Sequence, residues 1–269
     1  MAPRDQKWYG WRPDLPDGLH DLRLALPPNL LRQQPRKVFT APHFLPLVRN
    51  QGDEGSCTGH AVSSLAMTLR NVGGQKPAIL SPRFPYWNGR VREGTTASDA
   101  GCEIRDVMWG AAKFGFADLA SCPYTPGDFA APPSADAFTE ALTDVPSRYQ
   151  RVRRSVTDFK AVIAAGGIVF GFSVFEDFES DHVTDTGELG MPSGDNLGGH
   201  AVYMVGADDD HLNPEGDHGA TLQMNSWDID WGCAHPLLPD RGRGFFWMPY
   251  KYSLSSDLSD DFWTITQIT

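Results

Sequence analysis

Residues 51–61 read QGDEGSCTGHA and place a cysteine, Cys57, where a loop turns into a helix. From Thr58 onward apolar residues fall at Ala61, Val62, Leu65, Ala66, Leu69 and Val72, the spacing of one buried helical stripe, and the run stops at Gly73 and Gly74. Cys57 therefore belongs to the first turn. A thiol there meets unpaired backbone N–H groups and the positive end of the helix dipole, both of which favour thiolate. The expectation is a nucleophile that labels rapidly at about pH 6 while Cys102, Cys122 and Cys233 do not.

Attack on a carbonyl also needs a base, a group that orients the base, and donors for the developing oxyanion. His200 opens the run HAVYMVGA, whose alternating Ala201, Tyr203, Val205 and Val202, Met204 predict a strand buried on at least one face. TLQMNSW predicts a second strand, with Asn225 near its end and Trp227 just beyond it. Paired as a hairpin, the two strands bring Asn225 beside His200. Gln51, on the loop entering the helix, offers a side-chain amide to the point at which the Cys57 N–H is aimed, which makes an oxyanion hole. His60, one helical turn after Cys57, has no evident orienting partner, and helix side chains lean back toward the N-terminus; it reads as a packing residue.

Taken together and in this order, QGDEGSC, GGHAVYMVGADD and NSWDIDWG resemble the papain-like cysteine peptidases, and GWRPDLPDGLHDLR, LSPRFPYWNGR and GRGFFWMPYKY are similar to their prokaryotic-type branch. The separations are 200 − 57 = 143 and 225 − 57 = 168 residues. The resemblance implies Gln51 as oxyanion donor, Cys57 as nucleophile, His200 as acid/base, Asn225 as the orienter of His200, and Trp227 as a shield over the Asn225–His200 hydrogen bond. It implies an α+β, papain-like two-lobe fold, a helical lobe followed by an antiparallel β-barrel-like lobe, with the active site in the groove between. The chain departs from the family at three places. Glu54 stands where many relatives carry a disulfide cysteine, Thr58 where they carry tryptophan, and Asp228 where the motif NSWG has glycine.

The rest of the chain fits that organisation. Trp8, Tyr9, Trp11 and the turn-rich RPDLPDG predict an extended arm over residues 1–40 that lies on the body or in the cleft, a packed surface arm being the favoured reading, and that is too short for a large inhibitory pro-domain. Residues 41–145 read as helical, with starts at Ser81, Pro82 and Ser134 and a stripe of Ile104, Val107, Met108 and Ala111 ending at Gly115. Residues 146–269 read as RYQRVRRSV, a helix TDFKAVIAAGG stopped by Gly166, then GIVFGFSVF, GHAVYMVGA, TLQMNSW, GRGFFWM and FWTITQ as strands.

Composition excludes several classes. With 23 Lys+Arg against 34 Asp+Glu the net charge is −11, which argues against nucleic acid as a partner. No run approaches the ~18 apolar residues of a membrane span. The first residues are too polar for a secretory signal, so the expected location is cytoplasmic, or outside by a route that needs no N-terminal signal. Four cysteines are too few for a disulfide scaffold, and free thiols are expected. Cys233 with His235 lacks further matched ligands, and the acidic run Asp208, Asp209, Asp210 reads as a solvated hairpin tip, so neither a metal nor another cofactor is expected. The expected partner is a peptide or protein substrate, cut through a Cys57 thioester. Acyl transfer or glutamine deamidation by the same Cys–His pair, or a non-catalytic peptide-binding pseudo-peptidase, are the alternatives.

Overall fold

The computed structural model describes residues 9–32 and 34–268. In chain order the elements are β1 (Trp11–Arg12), β2 (Lys37–Phe39), α1 (Cys57–Val72), α2 (Arg83–Glu93), β3 (Cys102–Glu103), α3 (Ile104–Phe114) and α4 (Ala135–Ala141). There follow β4 (Pro146–Arg151), α5 (Val156–Ala165), β5 (Ile168–Phe175), α6 (Asp181–Thr186), β6 (Asn196–Leu212), β7 (His218–Met224), β8 (Phe245–Pro249), α7 (Tyr250–Leu254) and β9 (Ser259–Ile268). Helices dominate the first half and strands the second.

Local chemistry explains the boundaries. Ser134 and Ser155 cap α4 and α5, their hydroxyls accepting the N–H of Ala137 and Asp158, each at 3.1 Å. Gly115 and Gly166 end α3 and α5 at positive φ, 80° and 155°.

The large sheet runs β4-β9-β5-β6-β7-β8, with β2 also paired to β6, and all its pairings are antiparallel. β6 is its spine, and the alternation along it is buried on both faces. Ala201, Tyr203 and Val205 join Val62, Leu65 and Ala66 of α1 in one core. Val202 and Met204 join Phe159, Phe170, Phe172, Phe246 and Phe262 in another. Each Val, Leu, Phe or Met among them contributes about 1.5–3 kcal/mol on burial, so a one-residue slip of β6 would misplace both sets.

Two expectations change. Lys37, Val38 and Phe39, read as the end of the arm, are a strand on β6. The acidic run is not a hairpin tip but the last part of β6; Lys37 meets Asp208 at 3.0 Å, Lys160 meets Asp209 at 2.6 Å, and Arg36 pairs with Asp210. The turn itself comes later, where Asn213 N–H donates to Asp217 O at 2.8 Å. No described helix is long and apolar enough to cross a membrane.

Candidate active site

α1 begins at Cys57 with Ser56 as its cap residue, and the Ser56 hydroxyl does not cap the helix. The entering loop is instead held by longer-range bonds. Gln51 N–H donates to Ser226 O at 2.9 Å, and Tyr124 Oη donates to Gln51 O at 2.7 Å. The Gln51 amide is clamped at both atoms: Nε2 donates to Glu54 O at 2.8 Å and Oε1 accepts from Ser226 Oγ at 2.6 Å. Its orientation is thereby fixed from the same tripeptide region that carries Asn225.

From the other side, β6 supplies His200 and the end of β7 supplies Asn225. His200 Nε2 lies 2.8 Å from Asn225 Oδ1, an acceptor that also receives the Ser226 N–H at 2.8 Å. An amide oxygen can only accept, so Nε2 carries the hydrogen, and proton exchange with a thiol falls to Nδ1. The His200 ring is fully buried, with Trp227 tilted over it at 5.0 Å between centroids and Phe172 edge-on at 5.8 Å. The Cys57 sulfur faces the amide N–H of Ala201, the residue after His200. Gln51, Cys57, His200, Asn225 and Trp227 therefore converge on one place.

The three family departures have local answers. Glu54 accepts the Gly127 N–H at 3.1 Å, and Asp99 accepts the Gly55 N–H at 2.7 Å and the Tyr86 hydroxyl, so hydrogen bonds hold the loop where relatives use a crosslink. Thr58 is buried without leaving the helix. Asp228 adopts φ 76°, the left-handed conformation that glycine takes freely and aspartate tolerates, and its carboxylate turns away to Asn50 Nδ2 at 3.2 Å and to its neighbour's N–H at Ile229, 2.7 Å.

The N-terminal arm is placed differently from the surface position expected of it. Residues 9–12 lie in the groove across Cys57, while Trp8 lies outside the described residues. Gly10 O accepts the Cys102 N–H at 2.7 Å, and Trp11 and Arg12 pair parallel with Cys102 and Glu103. Gly10 passes so close to the loop that a Cβ on it would sit 1.8 Å from Gly55 O. Tyr9 packs against His200 and Trp227 at 6.3 and 6.1 Å, and its hydroxyl donates to Glu179. The sequence signal was the run Tyr9-Gly10-Trp11, a glycine between two aromatics.

That placement also changes the expected state of the thiol. Cys57 is 0% exposed, and burial pushes its pKa up to about 11, against the lowering effect of the Ala201, Gly10 and Thr58 amides. The helix terminus does not outweigh desolvation while the arm is seated. His60 is buried with its pKa well below the ordinary value, chiefly by desolvation and then by Arg49; it packs edge-on against Tyr124. Cys102 donates to Glu93 Oε1 at 3.1 Å, and all four cysteines are free thiols. His235 accepts the Leu237 N–H at 3.1 Å. Among the described residues no group of three or more His, Cys, Asp or Glu side chains forms a metal cluster.

No family model matches the chain. A peptidase C1-like protein of Acanthamoeba polyphaga mimivirus is 31% identical over 96% of this chain and 77% of its own length. Xylellain, a cysteine protease from Xylella fastidiosa, superposes with a TM-score of 0.84 at 29% identity, over 100% of this chain and 99% of its own. Procathepsin B S9 from Trypanosoma congolense superposes with a TM-score of 0.70 at 17% identity, over 96% and 86%. With this likeness along nearly the whole length, and with a cysteine, a histidine and an asparagine meeting in the groove, the chain belongs to the papain-like, peptidase C1-like family of cysteine peptidases.

Proposed function

We propose that this peptidase is an endopeptidase that works through a Cys57 thioester. The observation that carries the reading is the His200 Nε2–Asn225 Oδ1 bond, because it occupies Nε2 and leaves Nδ1 for exchange with the thiol. Cys57 gives its proton to His200 Nδ1 and attacks the substrate carbonyl. Gln51 Nε2 and the Cys57 N–H receive the oxyanion. His200 protonates the departing amine, then takes a proton from water as that water attacks the thioester and frees Cys57. Asn225 keeps the ring aligned, and Trp227 keeps water from their hydrogen bond. Passage of the arm over Cys57, with Tyr9 to one side of Gly10 and Trp11 to the other, supports cutting within a chain rather than at an end. The folded state described here is closed, and turnover requires residues 9–12 to leave the groove.

The test is digestion of a peptide library by the full chain and by a Trp11→Ala chain with a loosened arm, each beside its Cys57→Ala counterpart and read by mass spectrometry. New internal termini that require Cys57 are expected. Amine adducts, or products one mass unit heavier, would instead identify transfer or deamidation.

A further inference from the structure

Two buried polar atoms beside the catalytic groups have no hydrogen-bond partner among the described residues: His60 Nε2 on α1 and Asn225 Nδ2 just past β7. Both residues are buried, and a polar atom left unmet at that depth is costly. They line the same small cavity between α1 and the sheet, together with Arg49, Ser64 and Tyr203. Its volume of about 10 Å³ is room for one water molecule.

The two atoms need opposite partners. Tyr124 Oη gives its hydrogen to Gln51 O, so the Ser56 hydroxyl, 2.8 Å from Tyr124 Oη, is the donor in that pair. Ser56 Oγ and Ser56 O then both accept from His60 Nδ1, at 3.3 and 3.2 Å, and Nδ1 carries the ring hydrogen. Burial, and then Arg49, keeps the ring neutral, which makes Nε2 an acceptor. Asn225 Oδ1 is taken by His200 Nε2 and the Ser226 N–H, which leaves Nδ2 as a donor. A water can accept from Nδ2 and donate to Nε2. An anion would leave Nε2 unmet, and a metal cation would leave Nδ2 unmet. Ser64 Oγ, on the same cavity wall, makes the third partner usual for a buried water.

The direction of these bonds matters for catalysis. An asparagine amide turned by half a revolution has almost the same shape, but it would present Nδ2 to His200. His200 Nε2 would then have to accept, and the ring hydrogen would move to Nδ1, the atom that must take the proton of Cys57. A water whose hydrogens go to His60 and Ser64 can only accept from Asn225. It thereby holds Nδ2 toward the cavity and Oδ1 toward His200.

We propose that His60 is a positioning residue: through one water held between its Nε2 and Asn225 Nδ2, it sets the orientation of the Asn225 amide and with it the tautomer of His200. The proposal rests on the peptidase reading above. The chain of bonds starts at Ser56 O, passes through His60, the water, Asn225 and His200, and ends at the thiol of Cys57, the residue next to Ser56.

The kinetic test uses the Trp11→Ala chain and peptides that it cuts. His60→Phe keeps a ring against Tyr124 and removes the acceptor; kcat is expected to fall about fivefold, the worth of one neutral hydrogen bond, with KM unchanged. With Asn225→Ala already present, the same change is expected to cost less than about twofold, because the group it acts through is gone. His60→Gln, whose amide oxygen can accept in place of Nε2, should recover most of the loss. Losses that multiply in the double variant, or a His60→Gln chain no faster than His60→Phe, identify a packing role alone and overturn the proposal. Two further measurements need no turnover. A crystal structure of the Cys57→Ala chain should show one water within hydrogen-bond reach of both atoms, and its absence from clear density overturns the proposal even if His60→Phe fails to fold. NMR of the labelled histidine ring nitrogens in that chain should show His200 protonated on Nε2, with His60→Phe adding a share protonated on Nδ1; an unchanged tautomer overturns it. If no peptide is cut by any chain that retains Cys57, the peptidase reading fails instead, and these two measurements decide the role of His60.

Discussion

The two walls of the groove are built by different means. On the sheet side, His200 and Asn225 are fixed by strand register and wrapped in Trp227, Phe172 and Phe178. On the helix side, residues 51–56 have no regular structure and are held by side-chain bonds from Asp99, Tyr124, Ser226 and Glu54. Apolar wrapping makes the first wall intolerant of truncation. Hydrogen bonding to the buried Glu54 carboxylate makes the second titratable. In Glu54, burial outweighs the bond from Gly127 and raises the pKa to about 7.

The comparison is broken most severely from the sheet side. His200→Ala removes the base and should lower kcat/KM by about 10⁴-fold, measured on any peptide the wild-type chain cuts. A residual rate near wild type, with activity lost in His60→Ala, would move the base to the helix wall.

Gln51→Ala should cost about a hundredfold in kcat, the usual effect of one oxyanion donor, with little change in Tm. Because the clamp from Ser226 goes with it, Ser226→Ala should reproduce part of the loss. Asn225→Ala should cost about tenfold by freeing the His200 ring. Asn225→Asp keeps the accepting oxygen and adds a charge that favours imidazolium, so its activity should persist with the basic limb of the pH profile moved upward.

The smaller effects belong to the helix wall and the arm. A glutamic acid whose folded pKa lies above its unfolded value binds more protons when folded, so the stability it confers is full below pH 4.5 and is lost as pH rises through about 7. Glu54→Gln should therefore match wild type at low pH and melt about 3 °C higher at pH 8, as scanning calorimetry would show. Asp14 has the same sign: burial and then Asp261 raise it to about 8 despite Arg151. Seating of the arm should weaken as pH rises from about 4 to about 8. Alkylation of Cys57 should accelerate over that interval more in wild type than in Asp14→Asn, and equal slopes would remove Asp14 from the arm's hold.

Much of this molecule was legible before any coordinates. The stripe from Ala61 to Leu69, the alternation along HAVYMVGA and the glycine stops are local periodicities, and they reappear as α1, β6 and the ends of α3 and α5, while Val72, expected on the same stripe, is exposed. The order of Gln51, Cys57, His200 and Asn225 was equally visible, because each carries its own short motif. The acidic run at Asp208 was misread because its charge pattern says nothing about partners such as Lys160, which lies 49 residues upstream of Asp209 (209 − 160).

What the sequence could not decide is what lies across the nucleophile. Tyr9, Gly10 and Trp11 reach Cys57 only because β5, β6 and β9 place Gly171, Gly199 and Asp261 around the Trp11 ring, three positions separated by 28 and 62 residues (199 − 171 and 261 − 199). No periodicity links them; antiparallel register does, and register is a property of the assembled sheet. The state of the Cys57 thiol follows from the same cause, since a helix terminus is written in local sequence whereas desolvation is the sum of everything packed around the sulfur.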